Sequence, residues 1–387
     1  MHEPVIEKTS GSPHASLHAA LFTIVMLGLS ALALSHVDSY KLAQDHDLVR
    51  GQLARDFETH YDEHFPAKTL GVNLWAAIDY TLFHEGRPGV VLGRDSWLYT
   101  DEEFTVGNDA QRNVERNLAL VAWINGQLAE RGIRLLVAVV PSKARVYPEH
   151  LAGREPPLVH DSAYWQAALA LSAAGVPTAN LLSALTLGKA RHETYLRTDT
   201  HWTAYGAQLA AGAVAEAALA AGLVRDVGTE FRTQETAPQT HRGDLFNYLP
   251  LDPWFSALLP PTETIVPTST EAVAQGNDLF GDDSAPKITL VGTSYSANRL
   301  WNFAGALKQA LHEDLLNYAK DGKGPFAPML DYLNSDDIKQ APPRLVIWEI
   351  PERYLPAAPA LETYVIPPEA YATAGRNTPI LKNRRNS

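Results

Sequence analysis

The 387-residue sequence contains no cysteine. That absence removes disulfides, thiolate catalysis and cysteine-based zinc sites together. It leaves the compartment open, because a secreted enzyme of this size can be stable on its core alone. Basic charge is also scarce: 32 Lys and Arg stand against 44 Asp and Glu, a formal net charge of −12. Nucleic acid is thereby excluded as a partner, since its binders carry a basic patch that displaces counterions. Tight, extended binding of an acidic polysaccharide is disfavoured on the same ground, unless the basic residues cluster. With 45% hydrophobic and 20% charged residues, the chain is neither disordered nor fibrous. It shows no internal repeat.

Long apolar runs are missing too, with one exception. Residues 17–37, LHAALFTIVMLGLSALALSHV, hold no Asp, Glu, Lys or Arg. As a helix this run just spans a hydrocarbon core of about 30 Å. It shows no polar face, so a membrane anchor is expected. A cleaved signal peptide is the rival, with Ala31-Leu32-Ala33 as a cleavage site. The flanking charges do not support an outward-facing domain: Lys8 precedes the run, whereas Lys41, Arg50 and Arg55 follow it.

Beyond the run, residues 38–70 are polar and helical in tendency, stopped by Pro66. Residues 86–100 read as a hairpin, with Val90-Val91-Leu92 and Trp97-Leu98-Tyr99 around a Gly-Arg-Asp-Ser turn. Strand and helix patterns then alternate. A helix at 109–131 leads to a strand at 133–140 that Pro141 stops. A helix at 160–174 leads to a strand near 176–183, and an Ala-rich helix fills 203–222. Ile288-Thr289-Leu290-Val291 is a short buried strand followed by a helix from 300 to 313. Leu345-Val346-Ile347-Trp348 is the last strand, ended by Pro351. Apolar strands separated by helices imply an α/β fold with a parallel sheet covered on both faces. Active sites in such sheets lie at the carboxyl ends of the strands. Residues 223–286, with several Pro and Gly, are expected to form an irregular excursion.

Two motifs could carry chemistry. Gly292-Thr293-Ser294-Tyr295-Ser296 follows the strand ITLV directly. A serine at a sharp strand-to-helix turn exposes its hydroxyl, and the N–H groups of the turn can hold an oxyanion. The second glycine of a full GxSxG is lacking, and Gly, Ser and Thr at such turns also serve as helix caps. Arg197-Thr198-Asp199-Thr200-His201-Trp202-Thr203 precedes the Ala-rich helix. Asp199 and His201, two apart on one loop, can supply a base and the carboxylate that orients it. The same residues could instead be a metal pair, with His192 and Glu193 as further ligands, or a helix cap through Thr200 or Thr203. No HExxH-like spacing favours the metal. Trp202 and Trp348 read as packing aromatics, with sugar platforms as the alternative. Glu349, Glu352 and Arg353 read as a structural ion-pair cluster, with a place lining the site as the alternative, and Lys382, Arg384 and Arg385 as a solvated basic tail.

RTDTHWT together with VGTSYS and IWEIPERYL resembles the alginate O-acetyltransferases, an SGNH-hydrolase-like family whose Asp-x-His element lies upstream of the serine. GRDSWLYTDEEF and VVPSKARVYPE look like the same family, so the resemblance runs from about residue 80 to 355. It implies a three-layer fold and a triad of Ser294 as nucleophile, His201 as base and Asp199 as orienter, with no metal or organic cofactor. Ordinary SGNH enzymes add a glycine and an asparagine as oxyanion donors, and no matching blocks stand in this sequence; the turn geometry offers the Ser294 N–H, and Asn298 is the side-chain candidate. Ser96 stands where the family has glycine in its G-x-D-G-W-L turn. One branch of the family carries an appended carbohydrate-binding module. Residues 352–387 are too few for one, so the anchored branch is expected. The implied organisation is a tail at 1–16, an anchor at 17–37, a stalk at 38–80, the acetyltransferase domain at 81–356 and a tail at 357–387.

The implied reaction is periplasmic acetylation of an exopolysaccharide, at O-2 or O-3 of mannuronate in alginate, through an acetyl-serine. The implied partner at the inner membrane is a membrane-bound O-acyltransferase that passes acetyl groups across. From the net charge of −12, contact with the polymer is expected to be weak or transient. A carbohydrate acetylesterase with the same triad, and a non-enzymatic scaffold of the acetylation complex, are the alternatives.

Overall fold

The computed structural model describes residues 13–34, 51–225, 228–273 and 285–375. Lys8, Lys41, Arg50 and the basic tail at 382–385 lie outside these residues. The chain forms two compact units, one of residues 1–83 and 250–259, the other of 84–249 and 260–387.

In the first unit, α1 (Pro13–Leu34) is a 22-residue helix with no acidic residue in its first turn and no basic one in its last. Its side chains are described over 16–31, where Leu17, Leu21, Phe22, Ile24 and Leu27 are exposed. Among the described residues, no helix is long and apolar enough to cross a membrane. α2 (Gln52–His64) and α3 (Pro66–Ile78) meet at Phe65. Pro66 thus ends one helix and begins the next, because its fixed φ suits the first helical position. Asn73, in α3, donates from Nδ2 to the Pro250 carbonyl at 2.6 Å.

The second unit opens with the expected hairpin, β1 (Val90–Leu92) pairing β2 (Leu98–Thr100). Asp95 and Ser96 sit between them at φ 55° and 65°. Next come α4 (Ala110–Glu130), β3 (Arg134–Val140), α5 (Lys143–Val146), α6 (Leu158–Ala173), α7 (Leu181–Gly188) and α8 (Ala204–Ala220). No strand fills 176–183. Thr178 makes a single parallel bridge to Val137, and the apolar residues that follow become α7. Leu181 and Leu185 recur at helical spacing and are fully buried, so the run belongs to a helix face.

Within the expected excursion, the described residues 228–273 hold more regular structure than expected. β4 (Phe231–Glu235) pairs β7 (Thr268–Ala272), and β5 (Gln239–His241) pairs β6 (Glu263–Ile265), all antiparallel. The chain then runs through β8 (Ile288–Val291), α9 (Ser294–Ala297), α10 (Phe303–Leu311), β9 (Leu315–Asn317), α11 (Phe326–Asn334) and β10 (Leu345–Pro351). The helix expected from 300 starts at Phe303, because Asn302 is left-handed at φ 49°.

The main sheet has the order β3-β10-β8-β9, parallel throughout. Its residues alternate between two cores. Leu136, Ala138, Ile288, Leu290, Leu345 and Ile347 pack with α8 and α10, while Leu135, Val137, Val291, Val346 and Trp348 pack with α4, α6 and α11. This is a three-layer α/β/α arrangement. Trp202 and Trp348 are fully buried, and Trp348 Nε1 donates to the Pro325 carbonyl at 3.0 Å. They are packing aromatics. The segment after Pro351 is not all tail: Leu361 and Ala370 are buried in the α4 side of the core.

Candidate active site

Ser294 stands at the carboxyl end of β8, at the first position of the one-turn helix α9. Thr293 caps that turn, its Oγ1 accepting from Tyr295 N at 3.3 Å. From the neighbouring strand β10, Glu349 accepts from Thr293 N at 2.7 Å and from Ser296 Oγ at 3.0 Å. Burial pushes the Glu349 carboxyl up, and these donors act against that shift. The carboxylate explains Gly292. A Cβ there would lie 2.5 Å from Glu349 Oε2, so glycine alone fits.

Asp199 and His201 sit on a tight loop closed by the antiparallel bridge Tyr195↔Trp202. Thr203, not Thr200, caps α8, with Oγ1 accepting from Gly206 N at 3.0 Å. His201 Nε2 lies 2.6 Å from Ser294 Oγ, and His201 Nδ1 lies 2.7 Å from Asp199 Oδ1. With the proton on Nδ1, Nε2 accepts from the serine hydroxyl. Asp199 Oδ2 accepts from His241 Nε2 at 2.8 Å and from Asp244 N at 3.0 Å. Burial alone would raise the Asp199 carboxyl, but its hydrogen bonds from His201 and His241 hold it far below the usual range. Asp244 moves the other way, raised by burial and then by the Asp199 charge.

The loop itself is pinned from several sides. Lys143 is buried, and its Nζ donates to the carbonyls of Leu196, Arg197 and Asp199 at 3.0, 3.2 and 2.7 Å. Glu263, on β6, accepts from Arg197 N and Thr198 N, both at 2.9 Å. Tyr295 Oη donates to the Thr200 carbonyl at 2.7 Å and takes a bond from Arg353 Nη1 at 3.2 Å. Trp301 stacks on His201 with centroids 4.8 Å apart, and its Nε1 donates to the Ser294 carbonyl at 3.1 Å.

The structure therefore brings Ser294, His201 and Asp199 together. Asn298 is engaged locally, its Oδ1 accepting from Leu300 N at 3.0 Å. Glu352 is structural, taking Ser142 N at 2.9 Å and Arg145 Nε at 3.0 Å, whereas Arg353 reaches the site through Tyr295. Among the described residues, Asp199, His201 and Asp244 form a group whose ligand-type atoms lie within 4.8 Å of one another. His192 and Glu193 are not in it. Asp199 and His201 already satisfy each other by hydrogen bonding, which leaves little for a cation. Sequence reading missed His241, Asp244, Glu263, Lys143 and Trp301. The only hint was a second His and Asp three apart, with nothing to tie them to a loop 42 residues earlier.

A serine at a strand end, served by a histidine and an aspartate from an upstream loop over a three-layer parallel sheet, defines an SGNH-hydrolase-like protein. Residues 90–352 match the SGNH hydrolase-like domain of the acetyltransferase AlgX, and the chain belongs to that family of acetyltransferases. It is 47% identical over 356 residues to the probable alginate O-acetylase AlgJ of Pseudomonas aeruginosa, covering 90% of this chain and 91% of that one. The O-acetyltransferase domain of Pseudomonas putida AlgJ superposes with a TM-score of 0.68 at 44% identity, over 74% of this chain and 99% of that one. Pseudomonas aeruginosa AlgX gives 0.53 at 25% identity, over 70% and 63%.

Proposed function

We propose that the chain transfers acetyl groups onto alginate, at O-2 or O-3 of mannuronate, with Ser294 as nucleophile. The observation that carries this reading is the unbroken Ser294–His201–Asp199 relay, at 2.6 and 2.7 Å, in a close relative of an alginate O-acetylase. Ser294 Oγ attacks the carbonyl carbon of an acetyl donor as its proton passes to His201 Nε2. The Ser294 N–H, which has no acceptor among the described residues, faces the developing oxyanion at the start of α9. The tetrahedral intermediate collapses, and the leaving group takes the proton from His201. A sugar hydroxyl then gives its proton to His201 and attacks the acetyl-serine. Collapse of the second intermediate returns the proton to Ser294 Oγ and releases the ester. Asp199 fixes the imidazole tautomer and stabilises the imidazolium throughout.

The domain works in the periplasm, held to the inner membrane by the charge-free run at 17–37, and receives acetyl from a membrane-bound O-acyltransferase. A mature N-terminus sequenced at residue 34 or 36 would overturn the anchor. The reaction is tested with Ser294→Ala, His201→Ala and Asp199→Ala on a small activated acetate ester. Each is expected to lose on the order of 10³-fold or more in kcat while staying folded, because the members of a triad act as a unit. Near-wild-type turnover by the Ser294→Ala protein would sink the assignment.

A further inference from the structure

The catalytic reading uses one oxygen of Asp199; the other is held just as closely by a second histidine. His241 ends β5, and its Nε2 lies 2.8 Å from Asp199 Oδ2. The Asp244 N–H reaches the same oxygen at 3.0 Å, and Asp244 Oδ1 accepts from Thr200 N at 2.8 Å. The segment 241–244 therefore grips the catalytic loop by both its carboxylate and its backbone. Gly243 makes the approach possible, since a Cβ there would lie 2.1 Å from the Thr198 carbonyl oxygen. The ring of Trp301 stands edge-on to His241, at 6.2 Å and 88°, and the same Trp301 stacks on His201. The two histidines thus flank one carboxylate and share one aromatic wall.

We infer that His241 is a positioning residue for acetyl transfer, fixing the Asp199 carboxylate so that Oδ1 addresses His201 Nδ1. This rests on the proposed Ser294–His201–Asp199 chemistry. A carboxylate on a short side chain can rotate about its terminal bond, and rotation would break the 2.7 Å bond to His201. A donor on the second oxygen removes that freedom. Nε2–H can donate in either charge state of His241, so the grip survives its titration, but the charge does not. Asp199 faces His241 directly, Asp244 and Glu263 add negative charge from the adjoining turn and β6, and Arg242 is its chain neighbour. The bond to Asp199 raises the His241 pKa against the effect of burial. A protonated His241 opposes the positive charge that His201 must acquire in the transition state. Activity should therefore rise as His241 loses its proton, which adds a second ionisation to the acid limb of kcat/KM.

The test compares His241→Ala and His241→Gln with Ser294→Ala, in the full-length chain, on a small activated acetate ester from about pH 5 to 9. His241→Ala should lose on the order of 10- to 100-fold in kcat with little change in KM, the worth of one hydrogen bond to a charged group. His241→Gln, whose Nε2 reaches the same place without titrating, should recover most of that loss. Its acid limb should show one ionisation fewer than wild type. Three outcomes overturn the inference: His241→Ala within twofold of wild type, a folded His241→Gln as impaired as His241→Ala, or an unchanged acid limb in His241→Gln. If Ser294→Ala also turns over normally, the triad reading falls and this inference with it. If Ser294→Ala is dead while His241→Ala is normal, the inference alone falls.

Discussion

Ser96 and Asp95 occupy the two central positions of the turn between β1 and β2, both with φ above +50°. Trp97 N donates to the Arg94 carbonyl at 3.0 Å across that turn. Positive φ at both positions is the pattern that matches strand twist in a two-residue hairpin. An L side chain there costs about 1–2 kcal/mol, which glycine avoids. Glycine in turn loses about 0.5–1 kcal/mol more chain entropy on folding. Asp95 gains a partner in return, with Oδ2 3.2 Å from His150 Nδ1. Ser96 has no such side-chain bond among the described residues, so the strain there is uncompensated. Ser96→Gly should therefore stabilise the fold by about 0.5–1 kcal/mol, a rise in melting temperature of about 1–3 °C. Calorimetry of the two proteins decides it, and an unchanged or lower midpoint would show that the turn is not strained at this position. The departure of Ser96 from the family's glycine is thus confined to the turn.

Among the elements, the short helix α5 and the loop that holds Asp199 and His201 are joined by Lys143, and they respond to pH in opposite senses. Burial lowers the Lys143 ammonium to about 8, from an ordinary 10.5. Below pH 8 both folded and unfolded chains hold that proton, and the folded state carries the desolvation cost. Between about 8 and 10.5 only the unfolded chain stays protonated, so this group's contribution to stability improves as pH rises. The loop loses by the same change, because a neutral amine has two hydrogens for three carbonyls. Turnover is therefore expected to decline above about pH 8 without a drop in melting temperature from this group. A folded Lys143→Met protein should be slower and lack that limb, and a wild-type rate flat to about pH 9.5 would refute the role. The same contrast explains what was legible in sequence. Ile288-Thr289-Leu290-Val291 and Leu345-Val346-Ile347-Trp348 read as strands because every residue faces a core. Ser294, Asp199 and His201 read as a site because each sits in a turn with its own local chemistry. The ribbons β4 to β7 did not, since segments such as Gln239–His241 and Thr268–Ala272 are half exposed and polar, without apolar alternation. Lys143, His241 and Glu263 act on the loop through backbone carbonyls, backbone N–H groups and one carboxylate oxygen, across as many as 66 residues. Residue type alone does not encode such contacts.

For the whole molecule the governing quantity is charge, because the proposed acceptor is a polyuronate. A chain of net charge −12 repels such a polymer over much of its surface, and the repulsion is screened beyond about 10 Å at ordinary salt. Near the site charges of both signs meet, with Arg197 beside Glu193 and Glu263. Asp199, Asp244 and Glu263 lie within one group of interacting charges, with His241 among them, and the Lys143 cation is buried behind the loop against three carbonyls. Long-range attraction therefore contributes little to capturing the acceptor, and short-range contacts at Ser294 must supply the specificity. A partner that presents the polymer, or receives acetyl from this chain, resolves the difficulty without a tight polymer site. Isothermal titration of the full-length chain with defined oligomannuronates at moderate salt is expected to show weak or undetectable binding, while small acetyl esters are still turned over. Added salt should strengthen what binding there is, as like charges are screened. A dissociation constant in the low micromolar range, about −8 kcal/mol, or binding that weakens with salt, would mean that a local basic cleft overrides the net charge and that the chain captures alginate unaided.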